Sequence, residues 1–194
     1  MTRAVTPSQT AGPYFAFALT PTDYAYPALA GNDLRTDDAV GNAVIVEGRL
    51  LDGAGQPVPD GFLEIWQADG AGRYWGSNPQ PNTSFKGFGR ARTDATGAYR
   101  FVSVKPGPVP GPDGKPQAPH INVGVFARGL LKRLFTRIYF GDEPTTSGDQ
   151  VLALVPVERR MTLIARHEGA DGGMPRYVFD VRLQGERETV FFEA

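Results

Sequence analysis

Ala43-Val44-Ile45-Val46-Glu47-Gly48-Arg49-Leu50 sets the fold class. Val44, Val46 and Leu50 alternate with Glu47 and Arg49. A period of two is the mark of a strand with one buried face. Asp52-Gly53-Ala54-Gly55 follows as a turn, and Phe62-Leu63-Glu64-Ile65-Trp66-Gln67 as a second strand, broken by Asp69-Gly70-Ala71-Gly72. Thr93-Asp94-Ala95-Thr96-Gly97 is another turn, after which Tyr99 and Phe101 alternate with Arg100. A Pro/Gly loop runs from Lys105 to Pro116. Further strands are expected at His120 to Phe126, Leu134 to Phe140, Met161 to Arg166 and Tyr177 to Leu183, with a short helix at Asp149 to Val155. Many short strands between turns, and no strong amphipathic helix, predict an all-β chain folded as a single β-sandwich domain.

Outside these strands the chain divides once. Residues 1 to about 40 are turn-rich and lack a helical period, so they read as an extended N-terminal arm, with the sandwich spanning 41 to 194. The arm either packs on a partner chain or covers an edge of its own sandwich. With 194 residues and 41% hydrophobic content, the chain is long and apolar enough for one domain with a real core. Twenty basic residues against 21 acidic ones leave a net charge of -1, which argues against nucleic acid or an anionic membrane as partner. No apolar run approaches the ~20 residues of a membrane span. Cysteine is absent, which excludes disulfides and thiolate metal sites. With no apolar leader visible after Met1, a cytoplasmic location is expected.

The chemistry concentrates at His120-Ile121-Asn122-Val123-Gly124-Val125. On a strand, Ile121, Val123 and Val125 share the buried face, so His120 and Asn122 point together to the other. Two imidazoles at that spacing would make a compact metal-ligand pair, but an amide is a poor ligand for a transition metal. A lone strand histidine can equally be structural.

Set beside Tyr74 and Lys105-Pro106-Gly107-Pro108-Val109-Pro110, the chain resembles the intradiol ring-cleavage dioxygenase family. The matching stretches are Leu63 to Asp69, Gly72-Arg73-Tyr74, Gly87-Phe88-Gly89-Arg90, Thr93-Asp94 with Gly97, Lys105 to Pro108, and His120-Ile121. The resemblance implies a ferric ion held, in catalytic members, by two tyrosines and two histidines. The first tyrosine falls on Tyr74 and the first histidine on His120. The second tyrosine falls on Val109, the second histidine on Asn122, and the arginine before the first histidine near Gln117. Only a remnant of the iron site is therefore expected, with no catalytic residue and no metal on this chain.

The resemblance is strongest to the two-chain branch of the family, in which an iron-bearing β chain pairs with a homologous iron-free chain. The stretches that carry it are Thr6 to Tyr14, Ala118 to Asn122, Phe126 to Gly129, Thr136 to Phe140 and Gly185 to Phe192. It implies that this is the iron-free chain of an αβ unit that assembles further. It implies too that Fe(III) is bound by the partner, and that protocatechuate (3,4-dihydroxybenzoate) and O2 are the substrates. The product would be 3-carboxy-cis,cis-muconate. Thr10, Gly12, Pro13, Tyr14 and Arg128 would complete the substrate pocket. A guanidinium suits the substrate carboxylate, and Gly12-Pro13 lets backbone come close to a ligand. Arg128 also reads as a surface ion pair, and Gly12-Pro13 as a plain turn. The alternative function is a stand-alone sandwich binding module without activity; an iron enzyme acting alone is the third reading.

Overall fold

The computed structural model describes residues 19–79, 83–111 and 113–193. Two β layers face each other across the core. In one, β1 (Ala43–Leu51) lies between β4 (Ala98–Val104), its antiparallel neighbour, and β10 (Met174–Val178) with β11 (Val181–Arg182), which run parallel to it. In the other, β3 (Phe88–Arg92), β2 (Phe62–Trp66), β7 (His120–Phe126) and β8 (Leu134–Phe140) form an antiparallel series. The strand β9 (Ile164–Asp171) joins the layers: it meets β8 in parallel at its start and β10 in antiparallel farther on. A small pair, β5 (Val109–Pro110) and β6 (Pro116–Gln117), stands apart. Val44, Val46, Leu50 and Phe101 from the first layer bury against Leu63, Ile65, Ile121, Val123, Ile138 and Phe140 from the second. The β-sandwich expectation is met. Among the described residues no helix is long and apolar enough to cross a membrane.

Two strand boundaries differ from expectation. Met161 to Arg166 does not run as one strand: a 3-10 turn covers Val157–Leu163 and β9 begins only at Ile164. Met161 and Leu163 alternate like strand residues, but Met161 is 71% exposed while Leu163 is buried. Local bonds, including Thr162 Oγ1 to the Arg159 carbonyl at 2.8 Å, hold the turn. The strand expected at Tyr177 to Leu183 is split into β10 and β11 by Phe179 and Asp180. There the Asp180 carboxylate accepts from the Arg49 amide at 3.0 Å, so a side chain takes the place of a ladder bond. Gly48 lies against the Phe179 carbonyl, where a Cβ would clash. The strand β3 was not anticipated: Phe88-Gly89-Arg90-Ala91-Arg92 carries only a weak apolar alternation. The expected short helix exists as α1 (Gln150–Ala153), capped by Asp149.

Part of the expected arm lies on its own sandwich. Leu34 is buried, its amide bonds the Val102 carbonyl, and Arg90 donates to the Gly31 carbonyl.

Where β2 ends, fully buried Gln67 ties the two layers together. Its amide donates to the carbonyls of Val104 at 2.8 Å and Ala68 at 3.1 Å, and its oxygen accepts from Ser103 Oγ at 2.9 Å. Gln67→Leu keeps the bulk but strands those groups. It is expected to lower stability by about 2 kcal/mol, read as a drop in the urea midpoint. An unchanged midpoint would show that the bonds contribute nothing net.

Candidate functional site

The loop that carries Tyr74 is built by Asp69. This buried carboxylate accepts from the amides of Ala71 and Arg73, both at 2.9 Å, and pairs with the Arg73 guanidinium at 3.0 Å. Gly72 has φ of +75°, and a Cβ there would strike the Pro108 carbonyl. Glycine thus lets this loop press against the Lys105 to Val109 loop, an approach also held by Gly107 N to Asp69 O at 2.9 Å. Tyr74 stacks on Trp66 with ring centroids 5.9 Å apart.

His120 and Asn122 share a face of β7, as their spacing predicts. Asn122 Nδ2 donates to Tyr74 Oη at 3.2 Å and to the Trp66 carbonyl at 3.3 Å. Buried His120 holds Nδ1 against the Ala118 carbonyl at 2.8 Å, which fixes that nitrogen as the donor. Val109 is buried on β5 opposite Gln117. The fold therefore brings Tyr74 and Asn122 into contact and sets His120 two residues along the same strand, while Val109 ends the loop against which Gly72 packs.

Two further residues lie across the β7–β8 ladder from His120 and Asn122. The β7–β8 register sets Arg137 opposite Asn122 and Tyr139 opposite His120. Arg137 Nη1 donates to Gln117 Oε1 at 2.8 Å. Tyr139 Oη donates to Asp149 Oδ1 at 2.8 Å. Ile138 and Phe140 face the core, so alternation alone sends Arg137 and Tyr139 the other way. Which strand they face depends on the pairing, and the sequence does not state it.

The electrostatics keep the donors in their neutral forms. Burial pushes the Tyr74 phenol up and outweighs the opposing effects of Asn122 and Arg137. Burial, then the Arg137 charge, pushes His120 down. Burial raises Tyr139 as well.

These residues do not fit a ferric ion. Val109 has no donor atom. The Asn122 amide nitrogen has no free lone pair to ligate with, and its N–H groups are spent on Tyr74 Oη and the Trp66 carbonyl. Half a ligand set does not close a coordination sphere. Among the described residues, no three His, Cys, Asp or Glu side chains gather into a metal-binding group.

A family model described as Dioxygenase matches residues 10–185. The chain belongs to the intradiol ring-cleavage dioxygenase family. Among intradiol relatives, the protocatechuate 3,4-dioxygenase alpha chain of Burkholderia cepacia is 45% identical, over 97% of this chain and 96% of that one. The beta chain from the same organism is 35% identical, over 91% of this chain and 77% of its own length. A solved intradiol-type fold, the dioxygenase domain of a carbohydrate-binding fusion from Streptomyces sp. SirexAA-E, superposes with a TM-score of 0.63. It is 27% identical and covers 93% of this chain and 99% of its own.

Arg128 lies elsewhere in this intradiol fold. It follows the far end of β7 from His120, about 20 Å away at ~3.3 Å per residue. Its side chain is 81% exposed and its Nε pairs with Asp60 at 3.0 Å, so within this chain the surface ion pair is real. Thr10, Gly12, Pro13 and Tyr14 lie outside the described residues.

Proposed function

We propose that this chain is the iron-free alpha subunit of a protocatechuate 3,4-dioxygenase. In this reading it pairs with a homologous iron-bearing chain and completes that chain's substrate pocket. The observation that carries the reading is the pair of missing donors: Val109 is buried on β5 with no donor atom, and the Asn122 amide stands where an imidazole would be needed, spent on Tyr74 Oη and the Trp66 carbonyl. The 45% identity to an alpha chain points the same way. Fe(III) held by the partner would supply the ring-cleavage chemistry with O2.

This chain's own part is to position the substrate and exclude water. Arg128 presents an exposed guanidinium at a strand end, suited to the forked recognition of the substrate carboxylate. In this reading Thr10, Gly12, Pro13 and Tyr14 supply the rest of the wall. Leu154, Val157 and Met161 stand 70–81% exposed on neighbouring turns, an apolar surface of the sort that subunits cover. Further assembly of the αβ unit fits such a surface.

Co-purification with the neighbouring homologue tests the reading. The expected preparation carries about one iron per pair of chains, with none left on this chain when it is isolated. Stoichiometric iron on the isolated chain, with the visible band of tyrosinate bound to iron, would overturn the assignment in favour of a self-sufficient enzyme.

A further inference from the structure

We infer that Asp60 is the positioning residue for Arg128: it holds the guanidinium by its Nε edge and leaves the Nη1/Nη2 fork free for the carboxylate of the aromatic substrate. The inference deepens the proposed function and rests on it, since there Arg128 is the group that meets the substrate.

Register carries it. The strands β2 and β7 run antiparallel, with Phe62 opposite Phe126 at the last rung. Two residues beyond that rung on each strand stand Asp60 and Arg128. Their side chains meet there, Asp60 Oδ2 to Arg128 Nε at 3.0 Å. Among the described residues the two terminal nitrogens of Arg128 make no hydrogen bond. The backbone under Asp60 is pinned. Thr93, itself buried, donates its amide to the Gly61 carbonyl at 2.9 Å, and Gly61 donates to Thr93 Oγ1 at 3.0 Å. A Cβ at Gly61 would strike the Leu50 side chain, so the chain runs tight against the core at this point. The Phe62 and Phe126 rings stack with centroids 4.3 Å apart and fix the rung beneath the pair. Arg128 by contrast sits in the Ala127 to Leu130 turn, closed by one backbone bond at 3.2 Å. Its long stem loses rotamer freedom when it engages a ligand, and a carboxylate on a fixed base orders it beforehand. The guanidinium then lies between two carboxylates, so each faces a cation rather than the other. Where the partner covers this surface, Asp60 also keeps the arginine from being buried unpaired before substrate arrives.

The test is steady-state kinetics of the two-chain complex on protocatechuate and on catechol. Asp60→Ala is expected to raise KM for protocatechuate about fivefold, the upper end of what an exposed pair contributes, with kcat unchanged and catechol within about twofold. Asp60→Glu keeps the charge and should recover part of the loss. In the Arg128→Ala background, Asp60→Ala should add less than about 1.5-fold, because nothing is left to position. Should Asp60→Ala fail to assemble with its partner, Asp60→Ser, suited to a turn but too short to reach Nε, replaces it. An assembled complex whose KM for protocatechuate is unchanged overturns the inference. So does a rise of equal size for both substrates, or the same rise when Arg128 is already alanine. Those results leave Arg128 its role. Equal changes for both substrates on Arg128→Ala remove that role, and with it the reading on which the inference rests.

Discussion

Arg128→Ala, in the reconstituted two-chain complex, is expected to raise KM for protocatechuate by roughly 10- to 150-fold while leaving catechol within about twofold. A charge-assisted hydrogen bond to a carboxylate contributes ~1.5–3 kcal/mol, and every 1.4 kcal/mol is a factor of ten. Catechol lacks the carboxylate and so has nothing to lose. Among the described residues the guanidinium is exposed and engaged only through Nε to Asp60. An exposed pair of that kind contributes little to stability, so the variant should fold like the parent. Arg128→Lys should recover part of the loss, because it keeps the charge but not the planar fork. Steady-state kinetics on both substrates decide the matter. Equal changes for protocatechuate and catechol would mean that Arg128 does not recognise the carboxylate.

Asp149→Ala is expected to cost about 4 kcal/mol of stability, which for a chain of this size lowers Tm by roughly 10 °C. The Asp149 carboxylate is buried and accepts four hydrogen bonds. They come from Ala118 N and Tyr139 Oη, both at 2.8 Å, and from Val151 N and Leu152 N, both at 2.9 Å. It therefore caps α1, anchors the segment leading into β7 and holds the ring opposite His120. Truncation leaves buried donors without acceptors, and each such group is costly.

The same carboxylate couples stability to pH. Burial would push it up, but the bonds from Leu152, Tyr139 and Ala118 together hold it below the usual carboxylate range. A folded-state value below the unfolded one gives stability that is full above about pH 4 and is lost as pH falls through the folded value. The difference between parent and Asp149→Asn should therefore shrink between about pH 5 and pH 2. Urea titrations of both chains across that range measure it. Parallel pH profiles would show that Asp149 does not supply this dependence.

What the chain states on its own is the part governed by short-range rules. The alternation of Val44, Val46 and Leu50, the Gly-rich turns and the β-branched run of β7 dictate strands, and strands without helices dictate a sandwich. The side-chain types at 74, 109, 120 and 122 dictate what those positions can ligate, because no fold supplies an oxygen to valine. Asp149 as the cap of a short helix was likewise open to local reading. Register and layer pairing are different. They are set by which apolar faces find each other across the core, at separations in sequence that no local pattern encodes. Only the pairing of β7 with β8 turns Arg137 towards Asn122 and Tyr139 towards His120. Only long-range packing brings the Gly72 loop against Pro108. The same long-range packing let Asp180 bond β1 and split a strand that alternation alone would have continued.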